Sequence, residues 1–285
     1  QQGSRNLSAI SDCVDGWGGE IMLPFINILG RQIPMYGLMM TLGVIVAFLI
    51  SSYRCKKAGL LVEDLLTIIA TALGWALLGG WIFYLFATYS FSGVIELVRN
   101  GEIVGLIGGG IVFYGGLVSG FIGAFLGSKI AKVSLTDFLN PVIPTLPLAH
   151  AFGRIGCFFA GCCYGIPTDS PLGVIYKNPV GGTPVNVSLL PVQLIEAALN
   201  IVLFIILLLF TSGSKSKTRA TYLYFLLYAL MRFILEFFRY DEIRGKFSGI
   251  STSQWISLVI IAFILLRLLF KRFFNTRANA FPGSW

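Results

Sequence analysis

The sequence predicts an all-α polytopic membrane protein, seven transmembrane helices around a polar, lipid-accessible cavity. Three observations predict it. Of 285 residues, 56% are apolar before the 33 glycines are counted, and only 12% are charged, where an ordinary soluble domain carries roughly 25%. The mean hydropathy is +0.82, so polar groups cannot cover the surface of a globule. The apolar residues also fall in runs close to the ~20 residues that a bilayer core requires, with basic residues at the ends of those runs. A soluble enzyme, a disordered chain and a collagen-like repeat are excluded.

The spans are read at 34–53, 65–89, 109–128, 141–163, 189–210, 220–239 and 250–270. The first opens at Pro34, a good first-turn residue, and stops in the cluster Arg54, Lys56 and Lys57. The third is entered through the glycine-dense GEIVGLIGGGIVFYGGLVSG (101–120). No Gly-Lys-Ser/Thr follows it, so it is not a P-loop. Close helix packing and a backbone amide cradle for an anion both remain open for it. The fourth span, PVIPTLPLAHAFGRIGCFFAGCCYG, holds three prolines (Pro141, Pro144, Pro147) and four glycines (Gly153, Gly156, Gly161, Gly165). Irregular backbone at membrane depth is tolerated where it is buried or lines a cavity, so this segment is the expected cavity wall.

Residues 1–33 are read as an outward-facing segment, 34–270 as the seven-span catalytic domain, and 271–285 as a cytoplasmic tail. Residues 1–20 are polar and carry no signal-peptide apolar run. Orientation follows from the basic residues. Arg54, Lys56, Lys57, Lys129, Lys132, Lys215, Lys217, Arg219, Lys271, Arg272 and Arg277 fall on one side, eleven in all, against six on the other: Arg5, Arg31, Arg99, Lys177, Arg244 and Lys246. The positive-inside rule then places the N-terminus outside and the C-terminus in the cytoplasm. The net charge of +8 is accounted for by topology and anionic headgroups, and nucleic acid is not expected as a partner.

Four arginines remain within the apolar runs. Arg267 lies near the cytoplasmic end and snorkels. The other three require a partner or a wet cavity, because a charge in the bilayer costs several kcal/mol. In RFILEFFR (232–239), Arg232, Glu236 and Arg239 form a plus–minus–plus row. One reading is a self-neutralising ion pair; the other leaves a guanidinium for an anion, and its planar fork suits phosphate. A third arginine, Arg154 in span four, favours the second. Glu196 in span five is either a solvated interfacial carboxylate or a partner for one of these arginines. Tyr36 is either an aromatic-belt residue or part of the site.

His150, Cys157, Cys162 and Cys163 offer four soft ligands, but their spacing matches no usual paired zinc pattern, and adjacent cysteines are awkward for one metal. No metal and no cofactor are expected. A nucleophilic cysteine paired with His150 is a further possibility, and apolar packing is the default for buried cysteine.

Taken together, YGLMM (36–40), FYGGLVSG (113–120), GRIGCFFAGCCYG (153–165), PVQLIE (191–196) and RFILEFFR (232–239) resemble, in order, the bacterial prolipoprotein diacylglyceryl transferase family, as a divergent member. The resemblance runs from about residue 24 to 270. It implies a multi-pass enzyme of the bacterial cytoplasmic (inner) membrane that takes the diacylglyceryl group of phosphatidylglycerol. The group passes to the lipobox cysteine thiol in the signal peptide of a preprolipoprotein, and glycerol phosphate is released. The implied partners are phosphatidylglycerol, that signal peptide and membrane lipids.

Carried over by position, the resemblance marks Tyr36, Gly115, Gly116, Arg154, Gly165, Glu196, Arg232, Glu236 and Arg239. The chain departs from the family pattern where Tyr114 replaces a histidine, Cys157 an asparagine and Cys162 an acidic or polar residue. The expected catalytic set is Arg154, Arg239, Glu236, Arg232, Tyr114 and His150, with His150 a substitute base. The expected substrate-binding set is Tyr36, Gly115, Gly116, Gly153, Cys157, Cys162, Gly165 and Glu196. The departures keep two alternatives open: a related transferase with another acceptor, and a non-catalytic lipid-binding or transport protein.

Overall fold

The computed structural model describes residues 24–28, 30–89, 93–94, 96, 99–100, 112–177, 179–213, 218–240, 246–247 and 249–280. Most of residues 1–33, the glycine-dense 101–111, and Arg5, Lys215, Lys217 and Arg244 of the charge count lie outside them.

A hairpin comes first, β1 (Phe25–Ile28) antiparallel to β2 (Arg31–Pro34). Pro34 closes the second strand, and α1 (Met35–Lys57) starts one residue later than expected. Then follow α2 (Val62–Thr88), α3 (Phe113–Ile130), α4 (Leu135–Val142) and α5 (Thr145–Ala160). A two-residue pair, β3 (Val174–Ile175) with β4 (Ser188–Leu189), precedes α6 (Val192–Gly213) and α7 (Arg219–Leu235). A 3-10 turn, Glu236–Phe238, extends α7; β5 (Lys246–Phe247) and β6 (Ile250–Ser251) then lead into α8 (Thr252–Ala280).

Among the described residues, five helical stretches are long and apolar enough to cross a membrane: α1, α2, Val192–Ser212, Arg219–Phe238 and Thr252–Lys271. The pair α4 and α5, bent by 58°, makes a sixth if it counts as one span. Within the expected span over 141–163 the helix is broken at residues 143–144. Proline chemistry explains the break. Pro144 caps α5 with φ −60°, and its ring disfavours helix at the residue before it. Pro147 sits in the first turn of α5, where its missing N–H is no loss. Of the seven expected spans, the third corresponds to α3, whose 18 residues fall just short of the usual length.

Burial is inverted relative to a soluble protein. Phe86, Phe121, Phe125 and Leu209 are exposed, whereas Gln193, Glu196, Asn200, Arg232, Gln254 and Ser257 are buried. In lipid this arrangement is favourable, because apolar side chains lose nothing by facing the solvent. On α6 the buried polar residues Gln193, Glu196 and Asn200 fall at i, i+3 and i+7, one face of an otherwise apolar helix.

The chain divides into two compact units, one of residues 1–50 with 142–285 and the other of residues 51–141. In the second, α3 packs along α2 through glycines. A Cβ on Gly123 would stand 2.6 Å from Thr71 O, and one on Gly116 3.1 Å from Ala76 O. The Gly116 amide already donates to Val112 O at 3.1 Å. Helix packing accounts for Gly115 and Gly116, and an open amide cradle does not fit Gly116. In the first unit α5 packs on α6, α6 on α7 and α7 on α8. Gly153 and Gly156 let α1 approach α5, with Met40 Sδ and the Tyr36 backbone filling the space of the missing side chains.

Candidate active site

The first unit carries a buried chain of charges assembled from four segments. On α5, one turn separates His150 from Arg154, and Arg154 Nε donates to His150 Nε2 at 3.1 Å. That contact requires an unprotonated Nε2 acceptor. Arg154 Nε also lies 3.1 Å from Glu196 Oε1, and His150 Nε2 lies 3.7 Å from the same oxygen. Glu196 on α6 is fully buried. Its other oxygen faces Arg232 Nη1 of α7 at 3.6 Å. Arg232 Nη2 reaches Glu236 Oε2 at 2.6 Å and donates to Ser253 Oγ of α8 at 3.3 Å. Arg239 Nε stands 4.0 Å from Glu236 Oε2.

The chain thus runs Arg154, Glu196, Arg232, Glu236, Arg239. Among the described residues this chain holds three guanidiniums and two carboxylates, with His150 neutral as an acceptor. Guanidiniums at membrane depth are tolerated only with such partners or an anion. Of the two sequence readings for Glu196, the interfacial carboxylate is excluded by its burial, and the partner of the arginines is what is found.

The expected single helical row over 232–239 is corrected in one respect. The α-helix ends at Leu235, Glu236 opens the 3-10 turn, and Arg239 is extended at φ −92°, ψ 144°. Arg239 is held instead by its backbone, which bridges Gly165 in antiparallel fashion, while Ile166 N donates to Phe238 O at 3.0 Å. Three backbone segments crowd at Gly165, where a Cβ would lie 2.9 Å from Phe238 O and 2.5 Å from Leu190 O. Only glycine admits that approach. Gly165 is thereby explained as the seat of the Arg239 segment.

The end of α5 turns through Gly161, at φ 63° and ψ 51°, a left-handed cap closed by Cys162 N donating to Cys157 O at 3.1 Å. This turn gathers the thiols of Cys157, Cys162 and Cys163, whose sulfurs all lie within 4.8 Å of one another. His150 is not among them; it belongs to the arginine chain. Tyr36 lies within electrostatic reach of Arg154 and the three thiols. Tyr114, Gly115 and Gly116 belong to the second unit.

A profile of the prolipoprotein diacylglyceryl transferase family matches residues 24–270. The chain belongs to this family. It is 34% identical over 235 residues to the phosphatidylglycerol–prolipoprotein diacylglyceryl transferase of Clostridium tetani, covering 82% of this chain and 92% of that one. A second such transferase, from Clostridium perfringens, is 34% identical over 236 residues, 82% of this chain and 90% of its own. The enzyme of the same name from Finegoldia magna is 28% identical over 249 residues, 86% and 94% respectively.

Within this diacylglyceryl transferase framework, several supporting residues escaped the sequence reading. Gln193 Nε2 donates to Cys162 O at 2.7 Å, and Tyr176 OH donates to Gln193 Oε1 at 3.3 Å. Burial pushes the Tyr176 phenol up to about 12, so it stays protonated as a donor. Tyr228 lies in hydrogen-bond range of Arg154 and packs its ring 5.3 Å from that of His150. Tyr224 stacks on Tyr228. The signal was present in the sequence: Tyr224, Tyr228 and Arg232 recur every four residues along one face of α7.

Proposed function

We propose that this protein transfers the diacylglyceryl group of phosphatidylglycerol to the lipobox cysteine thiol of a preprolipoprotein, within the bacterial inner membrane. The observation that carries this reading is the buried chain of three guanidiniums held in register by two carboxylates. Phosphatidylglycerol brings one negative phosphodiester, and the cleaved C–O bond leaves a phosphate monoester whose growing charge needs fixed positive partners. Preorganised charges in a dry site supply the largest catalytic contribution of this kind. Arg154, Arg232 and Arg239 take the phosphate. Glu196 and Glu236 hold the guanidiniums in register, and His150 orients Arg154. The imidazole lone pair that would serve as a base is engaged by Arg154, so positioning is the role that geometry favours for His150. Tyr36 is a hydroxyl contact for the lipid headgroup, Gly165 admits the close approach of the Leu190 and Phe238 backbone, and Gly153 leaves room for the Met40 sulfur.

The reading includes seven spans: the five long helices, the bent pair α4 and α5 as one, and α3, whose length of about 27 Å nearly matches a hydrocarbon core of ~30 Å. The basic residues at the C-terminal ends of α1 and α3 support a cytoplasmic placement of those ends and an outward N-terminus. The domain that does the chemistry is 34–270, with a polar cavity open to lipid beside the arginine chain.

The test incubates purified protein with isotope-labelled phosphatidylglycerol and a lipobox peptide, followed by mass spectrometry. A labelled diacylglyceryl adduct on the peptide cysteine, with glycerol phosphate released, is expected. Glycerol phosphate without a peptide adduct would indicate another acceptor, and neither product would indicate lipid binding alone.

A further inference from the structure

The thiol acceptor must lose its proton before its sulfur attacks carbon, and the arginine chain offers no base for this. The sequence holds one histidine, and its Nε2 accepts the Arg154 Nε–H. Both carboxylates of the chain, Glu196 and Glu236, are locked against guanidiniums. The three clustered thiols occupy the turn at the end of α5.

Their convergence is built into the backbone. Adjacent cysteines in ordinary backbone point apart, which makes them awkward ligands for one metal. Here Cys163 is held at φ 62°, a left-handed conformation that costs energy for any residue with a Cβ. It is this turn that aims the Cys162 and Cys163 thiols at the same point as Cys157. The loop is braced around them. Gln193 holds the Cys162 carbonyl, Thr183 Oγ1 donates to the Gly161 carbonyl, and the amides of Val180 and Gly181 donate to Ala160 O at 3.1 and 3.0 Å.

We propose that Cys157, Cys162 and Cys163 form a three-thiolate zinc site whose open fourth position takes the acceptor cysteine as a thiolate. This rests on the transferase reading and supplies its missing activation step. Zinc–sulfur bonds of ~2.3 Å place tetrahedral thiolates about 3.8 Å apart, and the three sulfurs already lie within 4.8 Å of one another. Three protein ligands with one open position is the arrangement of catalytic zinc, and a coordinating thiol is deprotonated outright. In the step itself, the acceptor S–H loses its proton on binding zinc. The sulfur lone pair then forms the S–C bond to the glyceryl carbon. The C–O bond breaks with its electron pair going to oxygen, and the released proton is taken up by the glycerol phosphate that departs. No oxidant or reductant is needed.

The full-length protein in detergent, equilibrated with zinc and dialysed, is expected to retain about one zinc per chain. Cys157→Ser and Cys163→Ser are each expected to weaken retention about 100-fold or more, the upper range for lost outer-shell partners. Cobalt(II) in the unmutated protein gives a second readout that does not depend on how the variants fold. Adding lipobox peptide without phosphatidylglycerol should raise the sulfur-to-cobalt absorption by about one third, as a fourth thiolate joins three. A peptide with serine at the lipobox cysteine should leave it unchanged. Zinc not retained, zinc retained equally by the serine variants, or a cobalt spectrum indifferent to the peptide thiol would each overturn the site. Full transfer by chelator-stripped protein would overturn the zinc inference and leave the transferase reading standing. No adduct from zinc-loaded protein would overturn the transferase reading, and the role of the zinc with it.

Discussion

The two units of the molecule bury different things. The unit formed by residues 51–141 holds α3 against α2 by removing side chains, and among its described residues the buried polar ones are two serines, Ser51 and Ser128. The other unit buries Glu196 and Arg232 outright and surrounds them with Arg154, Glu236 and Arg239. Both units are glycine-rich, so glycine density alone does not mark a functional site in lipid. Buried charge does, because small-residue packing stabilises helices at no desolvation cost, whereas a guanidinium in the same place is tolerated only with partners.

That contrast can be broken most severely at the arginine chain. Arg232→Ala is expected to reduce transfer about 100- to 1,000-fold, the range for losing one preorganised charge partner. It also removes one of the arginines facing Glu196 and the nearer of the two facing Glu236, so the melting temperature should fall with it. Glu196→Leu tests the same chain from the other sign. It leaves Arg154 and Arg232 short of a buried partner, and a loss of about 3–5 kcal/mol is expected by denaturation in detergent.

A smaller effect is expected at Gly165. The Gly165→Ala Cβ pushes on Phe238 O and shifts the Arg239 segment, so transfer should fall about tenfold, near 1.4 kcal/mol. Kinetics on the folded variant check this. In the other unit, Gly123→Val drives a side chain into Thr71 O and should cost about 1–3 kcal/mol of stability. Its turnover per folded molecule should be unchanged, which distinguishes packing glycine from site glycine. The least effect is expected from Phe125→Leu on the exposed face of α3, within ±0.5 kcal/mol. A large change there would show that this face meets more than lipid.

The sequence made the membrane class, the helix runs and the three exceptional arginines legible, because each depends on composition or on cost per residue. It could not show that Glu196 stands between Arg154 and Arg232, since that contact joins three helices distant in the chain. The plus–minus–plus row was read as one helical face, and the periodicity argument failed at Leu235, where the α-helix gives way to a 3-10 turn. Arg239 reaches the chain by backbone pairing with Gly165, a long-range bridge that no local spacing encodes. The cysteines were discounted for an adjacency argument that assumes ordinary φ. The left-handed Cys163 removes that assumption, and nothing in the residue type announces it.

The central claim is that the buried arginine chain holds the phosphodiester. Arg154→Gln removes one of its guanidiniums while keeping a polar side chain of similar reach. The decisive measurement is transfer of labelled diacylglyceryl from phosphatidylglycerol to a lipobox peptide by this variant, with folding verified by its melting temperature. A fall of about 100-fold or more is expected. Transfer at the unmutated rate by the folded variant would contradict the account.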